Sequence, residues 1–156
     1  MEQRISFQDG NKGLMDGLFK IGMYLKQSGL DHKLQELIKT RASQINGCAY
    51  CLDMHWKDAI AQGETEQRLY MLEAWSESPF YTDRERAALA WAEAVTTLTQ
   101  GHVPDEVYDI AAAQFSEEEL FDLTLAVITI NSYNRINIAF RTPAGSYEPG
   151  QHAVPA

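Results

Sequence analysis

Apolar residues recur every three or four positions along most of the chain, and stretches alternating in the two-residue rhythm of strands are scarce. This pattern predicts an all-α fold, a single compact helical domain of about six to seven helices. The first covers about Lys12 to Gln27, with Leu14, Leu18, Ile21, Gly22 and Leu25 on one stripe, and ends at Ser28-Gly29. Asp31 can cap a second helix, which carries Leu34, Leu37, Ile38 and Ile45 and stops near Asn46-Gly47, a pair suited to a left-handed turn. A third helix begins at Cys48 and runs to about Gln62, closed by Gly63. Thr65 can cap a fourth with Leu69, Leu72 and Trp75, interrupted by Ser76-Glu77-Ser78-Pro79.

Thr82 to Glu85 reads as a capping box for a fifth helix, in which Ala88, Trp91, Val95 and Leu98 recur at helical spacing until Gly101. Pro104 opens a short sixth helix reaching about Phe115. Ser116 to Glu119 forms a second capping box ahead of the longest apolar helix, Leu120 to about Phe140. The organisation is an N-terminal segment (1–11), a helical domain (12–140) and a tail (141–156) rich in Pro and Gly. That tail should be extended or partly disordered unless a neighbour holds it. No internal repeat or low-complexity block is apparent.

A chain of 156 residues can bury a substantial core without disulfide staples. Its N-terminus lacks the apolar stretch of a signal peptide, so a cytoplasmic location is expected. The run from Leu120 to Ile130 contains Asp122, Thr124 and Thr129 and is too short to span a bilayer. The formal charge of −9 argues against nucleic-acid binding.

The two cysteines, Cys48 and Cys51, stand three apart, with His55 four residues after the second and Glu36 twelve before the first. On a helix, positions 48, 51 and 55 share one face, and neighbours at i, i+3 lie roughly 5–6 Å apart, close enough for a disulfide. A helix start favours a nearby anion by roughly 0.3–1 kcal/mol, which helps a thiol whose free pKa is about 8.5 to ionise. His55 can accept the thiol proton, and Glu36 can orient the imidazole if the second helix folds back on the third. One cysteine can then attack and the other resolve. Two plainer readings stand beside this: a pair of small buried hydrophobes, or part of a zinc site with His55 and Glu36. No cofactor is expected, and no second Cys-x-x-Cys or His-x-x-x-His completes a metal site.

The spacing Glu36-x11-Cys48-x2-Cys51-x3-His55 resembles the alkylhydroperoxidase D-like branch of the carboxymuconolactone decarboxylase superfamily. So do the segment beginning at Glu73, the helix beginning at Tyr81 and the stretch from Asn134 to Arg141; together the resemblance covers roughly residues 12 to 145. It implies helical protomers assembled as trimers or hexamers. It also implies a peroxidase in which Cys51 attacks a hydroperoxide and Cys48, the more accessible sulfur, resolves the sulfenic acid to a disulfide. His55 and Glu36 would relay protons, and a dithiol reductant of the dihydrolipoyl or thioredoxin type would reset the pair. The best-studied branch carries a further histidine just before the second cysteine, where this chain has Tyr50, a poor general base with a free pKa of about 10. The relay would then rest on His55 and Glu36 alone. The alternatives are a redox-responsive or structural relative without peroxidase turnover, and a decarboxylase-like activity, although relatives of that kind generally lack the cysteine pair.

Other residues carry less. Trp75 and Trp91 fit a core or a subunit interface, and no partner is evident for His32, His102 or His152. Asn131, Asn134, Arg135 and Asn137 are unusually polar for the end of an apolar helix and are expected to cap it or pair across a subunit boundary. No nucleotide loop, haem motif or flavin fingerprint is present.

Overall fold

The computed structural model of the chain describes residues 2–6, 12–98 and 101–152; the side chains of Lys12 and Leu14 lie outside this set, and with them Leu14's place on the first stripe. The described residues are all-α, with no strand. The helices are α1 (Lys12–Gln27), α2 (His32–Asn46), α3 (Ala49–Ala61), α4 (Glu66–Tyr70), α5 (Asp83–Thr97), α6 (Asp105–Ala112) and α7 (Glu117–Phe140), with a 3-10 turn at Leu72–Ala74.

Local chemistry sets most boundaries. Asp31 caps α2 by accepting from the Leu34 N–H at 2.9 Å, and Gly47 ends it with φ of 70°, a left-handed value that glycine adopts without steric cost. Both capping boxes close reciprocally, Thr82 with Glu85 and Ser116 with Glu119. Four boundaries differ from expectation, the first being that α6 stops at Ala112 and not near Phe115. Cys48 is the N-cap of α3 and not its first helical residue. The fourth helix breaks after Tyr70, and the Tyr81 hydroxyl donates to the Arg68 carbonyl, the acceptor that a continuing helix would offer to Leu72. Helix α5 ends at Thr97 with Leu98 in a left-handed conformation, while Thr99 and Gln100 lie outside the described residues.

Helix α2 is the hub, packing against α3, α5 and α7, while α5 also packs against α6 and α7. The main core joins Leu25, Leu34, Ile38, Trp91, Leu123 and Val127, and a second cluster joins Leu37, Leu72, Tyr81 and Leu89. Full burial of each such leucine contributes about 1.5–3 kcal/mol. Ala42, Ala87, Ala88, Ala92 and Ala126 are fully buried and let the helix backbones approach closely. No described helix is long and apolar enough to cross a membrane.

The polar end of α7 ties helices of the same chain together. Asn46 Nδ2 donates to Asn131 Oδ1 at 2.9 Å and to Asn134 Oδ1 at 2.8 Å. Asn134 Nδ2 donates to Ser43 Oγ at 3.0 Å, and Asn131 Nδ2 to Thr96 Oγ1 at 3.0 Å. Arg135 bonds back to Asn131, and it is Arg141 that occupies the C-cap of α7. The expectation that these residues cap the helix is corrected: buried amides on α7 find partners on α2 and α5, where unpaired polar groups would be costly.

Candidate active site

The αL turn at Gly47 swings the chain from α2 directly into α3, so that the two helices lie side by side and Glu36 faces His55. His55 Nδ1 and Glu36 Oε2 are 2.7 Å apart, and both residues are buried. Burial alone would raise the Glu36 carboxyl, but the charges of Lys39 and His55 and their hydrogen bonds outweigh it and hold Glu36 well below the ordinary carboxylate range. Glu36 is therefore ionised and can only accept, so Nδ1 carries the hydrogen and Nε2 is the position left to take up or give a proton. Lys39 Nζ, one turn along α2, closes the other carboxylate oxygen at 2.9 Å.

Cys48 and Cys51 are joined as a disulfide, with Cα atoms 5.4 Å apart. They sit in a small buried cluster with Ala42 and Ile130, against which Tyr50 and Tyr133 pack. Cys48 is 1% exposed and Cys51 0%, so in the bonded pair both are buried, and residues of α2 and α7 with two tyrosines pack around them. The sulfurs do differ in their polar partners. Cys48 Sγ, at the cap, accepts from the Cys51 N–H at 3.3 Å, so the helix start serves the first sulfur. Cys51 Sγ accepts from Asn137 Nδ2 of α7 at 3.4 Å.

A cavity of about 840 Å³ opens beside the pair, between α1, α3, α7 and the tail. Its apolar wall includes Phe19, Met23, Met54 and Ile130, and its polar groups include Glu36, His55 and Asn137. Neither cysteine lines it; the tyrosines and Asn137 stand between the sulfurs and the open space.

The tail is held by a neighbour, α3. Lys57 Nζ donates to the Tyr147 carbonyl at 2.9 Å, and the Gly145 N–H donates to Asp53 Oδ2 at 3.0 Å. The Tyr147 side chain is buried and its hydroxyl lies 2.9 Å from both carboxylate oxygens of Asp58. Burial pushes the Asp58 carboxyl up against the opposing pull of this hydrogen bond, and burial with the Asp58 contact pushes the Tyr147 phenol up as well. His152 is 3.0 Å from the Tyr50 hydroxyl and stacks obliquely on Tyr147, and His32 meets the Lys26 carbonyl, so both histidines have partners that sequence spacing did not suggest. Burial raises the Tyr50 phenol, with Asp53 and Asp58 adding to the effect.

The predicted residues are brought together two by two, Cys48 with Cys51 and Glu36 with His55, and the fold adds Lys39, Asp58, Asn137 and Tyr147. Lys39 and Asp58 were within reach of helical arithmetic, three positions from Glu36 and His55 respectively. Asn137 and Tyr147 are more than eighty residues from the cysteines, and no local signal places them there. Ligand atoms of Glu36, His55 and Asp58 lie within 4.8 Å of one another, a set able in principle to hold a cation. Those carboxylates are already engaged, Glu36 by Lys39 and His55 and Asp58 by the Tyr147 hydroxyl.

Comparison with known proteins agrees with this architecture. The profile of the carboxymuconolactone decarboxylase family matches residues 12–94. The uncharacterised protein YdfG of Bacillus subtilis is 45% identical over 150 residues, covering 94% of this chain and 99% of that protein. The uncharacterised protein YnjA of Escherichia coli is 31% identical over 119 residues, 76% of this chain and 65% of that protein. A crystal structure of a protein of unknown function from Agrobacterium tumefaciens, suggested to be the antioxidant defence protein AhpD, superposes with a TM-score of 0.89. It is 38% identical and covers 94% of this chain and 100% of that one. The debrominase Bmp8, 23% identical with a TM-score of 0.78 over 87% of this chain and 73% of its own, shares the fold.

Proposed function

Since the chain belongs to the carboxymuconolactone decarboxylase family, as an AhpD-like member, we propose that it is a cysteine-based hydroperoxide reductase cycling the Cys48–Cys51 disulfide. The observation that carries this reading is the conjunction of a bonded Cys-x-x-Cys pair with a buried, ionised Glu36 and a singly oriented His55 one turn beyond Cys51.

In the reduced protein His55 Nε2 takes the Cys51 proton. The thiolate attacks the terminal oxygen of R–O–O–H; an S–O bond forms, the O–O bond breaks, and the departing alkoxide takes the proton from His55. Cys51 is left as sulfenic acid. Cys48 then attacks that sulfur, water leaves, and the disulfide forms. A dithiol donor of the dihydrolipoyl or thioredoxin type restores the pair by exchange, its own thiols becoming a disulfide. The large apolar cavity favours organic hydroperoxides with an apolar body. A homo-oligomer, trimer or hexamer, has a candidate face in Phe121 and Ile128, exposed and two turns apart on α7.

The test is stopped-flow consumption of cumene hydroperoxide by the reduced protein, with dihydrolipoamide and thioredoxin-type donors in parallel. Turnover in the native chain and its loss in Cys51→Ser support the reading; unchanged turnover in Cys51→Ser ends it.

The burial of both sulfurs favours one second reading, a redox-responsive protein whose disulfide forms without peroxidase turnover. In that case the native thiols would react with hydroperoxide no faster than a free thiol in the same measurement.

A further inference from the structure

Asn137 occupies an unusual position. It lines the cavity and also hydrogen-bonds the buried Cys51 sulfur, so one side chain connects the open space to the sulfur assigned the attack. Its amide orientation is determined by a second contact: Nδ2 donates to the Tyr133 carbonyl at 3.0 Å, an oxygen that can only accept. The two N–H groups are thus directed at Tyr133 and Cys51. Asn137 Oδ1 is what remains, and it is the buried side-chain nitrogen or oxygen without a hydrogen-bond partner among the described residues. Asn137 is 4% exposed. A buried acceptor left unpaired is costly, so such an atom points to a donor that arrives during function.

We infer that Asn137 is a further catalytic residue, whose Nδ2–H holds Cys51 as thiolate and whose Oδ1 receives the O–H of the incoming hydroperoxide. The inference rests on the hydroperoxide reading above. The division of polar partners at the pair supports it: the helix-cap N–H serves Cys48, while the fold aims the Asn137 amide at the Cys51 sulfur. A terminal peroxide oxygen within about 3–3.5 Å of the Cys51 sulfur lies beside the planar amide already in contact with it. That oxygen keeps its hydrogen as the S–O bond forms and the O–O bond breaks, since the product is Cys51–S–O–H and the alkoxide takes its proton from His55. Oδ1 therefore accepts from the same O–H in the bound hydroperoxide and in the sulfenic acid. A disulfide has no such hydrogen, which accounts for the unpaired oxygen in the bonded state.

The experiment uses the full chain in a Cys48→Ser background, so that a single thiol titrates and reacts. The other titratable groups around it, Tyr50 and His55 on α3, Glu36 on α2, Tyr133 on α7 and, beyond His55, Asp58 and Tyr147, stay unchanged. Asn137→Ala removes donor and acceptor; Asn137→Asp removes the donor and keeps an acceptor, its second oxygen now facing the Tyr133 carbonyl, and thermal unfolding followed by circular dichroism verifies that each variant folds. Ultraviolet thiolate absorbance against pH should show both variants ionising at higher pH, with about tenfold less thiolate at neutral pH. At a pH where every form is thiolate, cumene hydroperoxide should still react about tenfold more slowly with Asn137→Ala than with Asn137→Asp, while alkylation by bromobimane is equal. Titration curves coincident with the Asn137 parent overturn the donor role. Equal peroxide rates at high pH overturn the acceptor role. A parent that reduces hydroperoxide no faster than a free thiol removes the peroxidase reading and the acceptor role with it, and the titration still decides the donor role.

Discussion

His55 Nδ1 and Glu36 Oε2 face each other at 2.7 Å across the packed surfaces of α2 and α3, nineteen residues apart in the chain. The short contact orients the imidazole and leaves Nε2 as its exchanging position. Replacing His55 with Gln keeps much of the volume but removes the titrating nitrogen. Hydroperoxide reduction should fall about 100-fold, in the range typical of a lost general base. Glu36→Gln should slow it less, since the ring remains; stopped-flow thiolate loss measures both.

The same pair makes stability pH-dependent. Glu36 has its folded pKa depressed below the ordinary value of 4.5, so its contribution is fully present above about pH 4.5 and is lost as pH falls below that toward the folded value. Denaturant midpoints should decline with acidification below pH 4.5, and Glu36→Gln should flatten that part of the profile. An unchanged slope in the variant would show that other carboxylates dominate.

The two sulfurs should not be interchangeable. Cys48→Ser keeps an oxygen at the α3 N-cap, where serine is favoured, so the fold is retained and one equivalent of peroxide is consumed with Cys51 halted as sulfenic acid. Dimedone labelling and intact mass should find the adduct on Cys51. Labelling of Cys48 in the Cys51→Ser protein, with faster peroxide loss, would reverse the assignment.

The tail contact tests how the cavity is enclosed. Tyr147→Phe removes the hydroxyl that satisfies both oxygens of Asp58 and should loosen residues 145–152 from α3. Limited proteolysis should cut the variant faster within the tail, and KM for a bulky hydroperoxide should shift more than KM for hydrogen peroxide. Identical cleavage rates would mean that Lys57, Asp53 and the Tyr50–His152 contact hold the segment without it.

Asn134 is fully buried between Asn46 and Ser43. Asn134→Ala removes the donor to Ser43 Oγ and one of the two acceptors of Asn46 Nδ2, Asn131 being kept, and should destabilise the protein by about 1–3 kcal/mol, read by chemical denaturation.

Helices were legible in the sequence because their signals are local. Asp31, Gly47, Thr82 with Glu85 and Ser116 with Glu119 act within one turn of the boundaries they mark, and α1, α2 and α7 end where those signals and the apolar stripes indicate. The break after Tyr70 was not legible, because its cause is a tyrosine hydroxyl eleven residues further on, beyond any periodic pattern. The cysteines, His55 and Glu36 were legible as a group, since Cys51 and His55 share α3, Cys48 caps it and Glu36 lies on the helix just before it.

By itself, then, the sequence determined the helical class, the order of the helices and the four candidate site residues, all through interactions spanning a few turns or one short connection. Tertiary structure decided what surrounds the sulfurs. The close approach of α7 brings Asn137 to Cys51, the tail lays Tyr147 on Asp58, and the same packing buries Cys48 as deeply as its partner. Those contacts bridge more than eighty residues and depend on how whole helices fill the core. Their physical origin is non-directional apolar burial, which brings distant side chains together without leaving a local pattern that announces them.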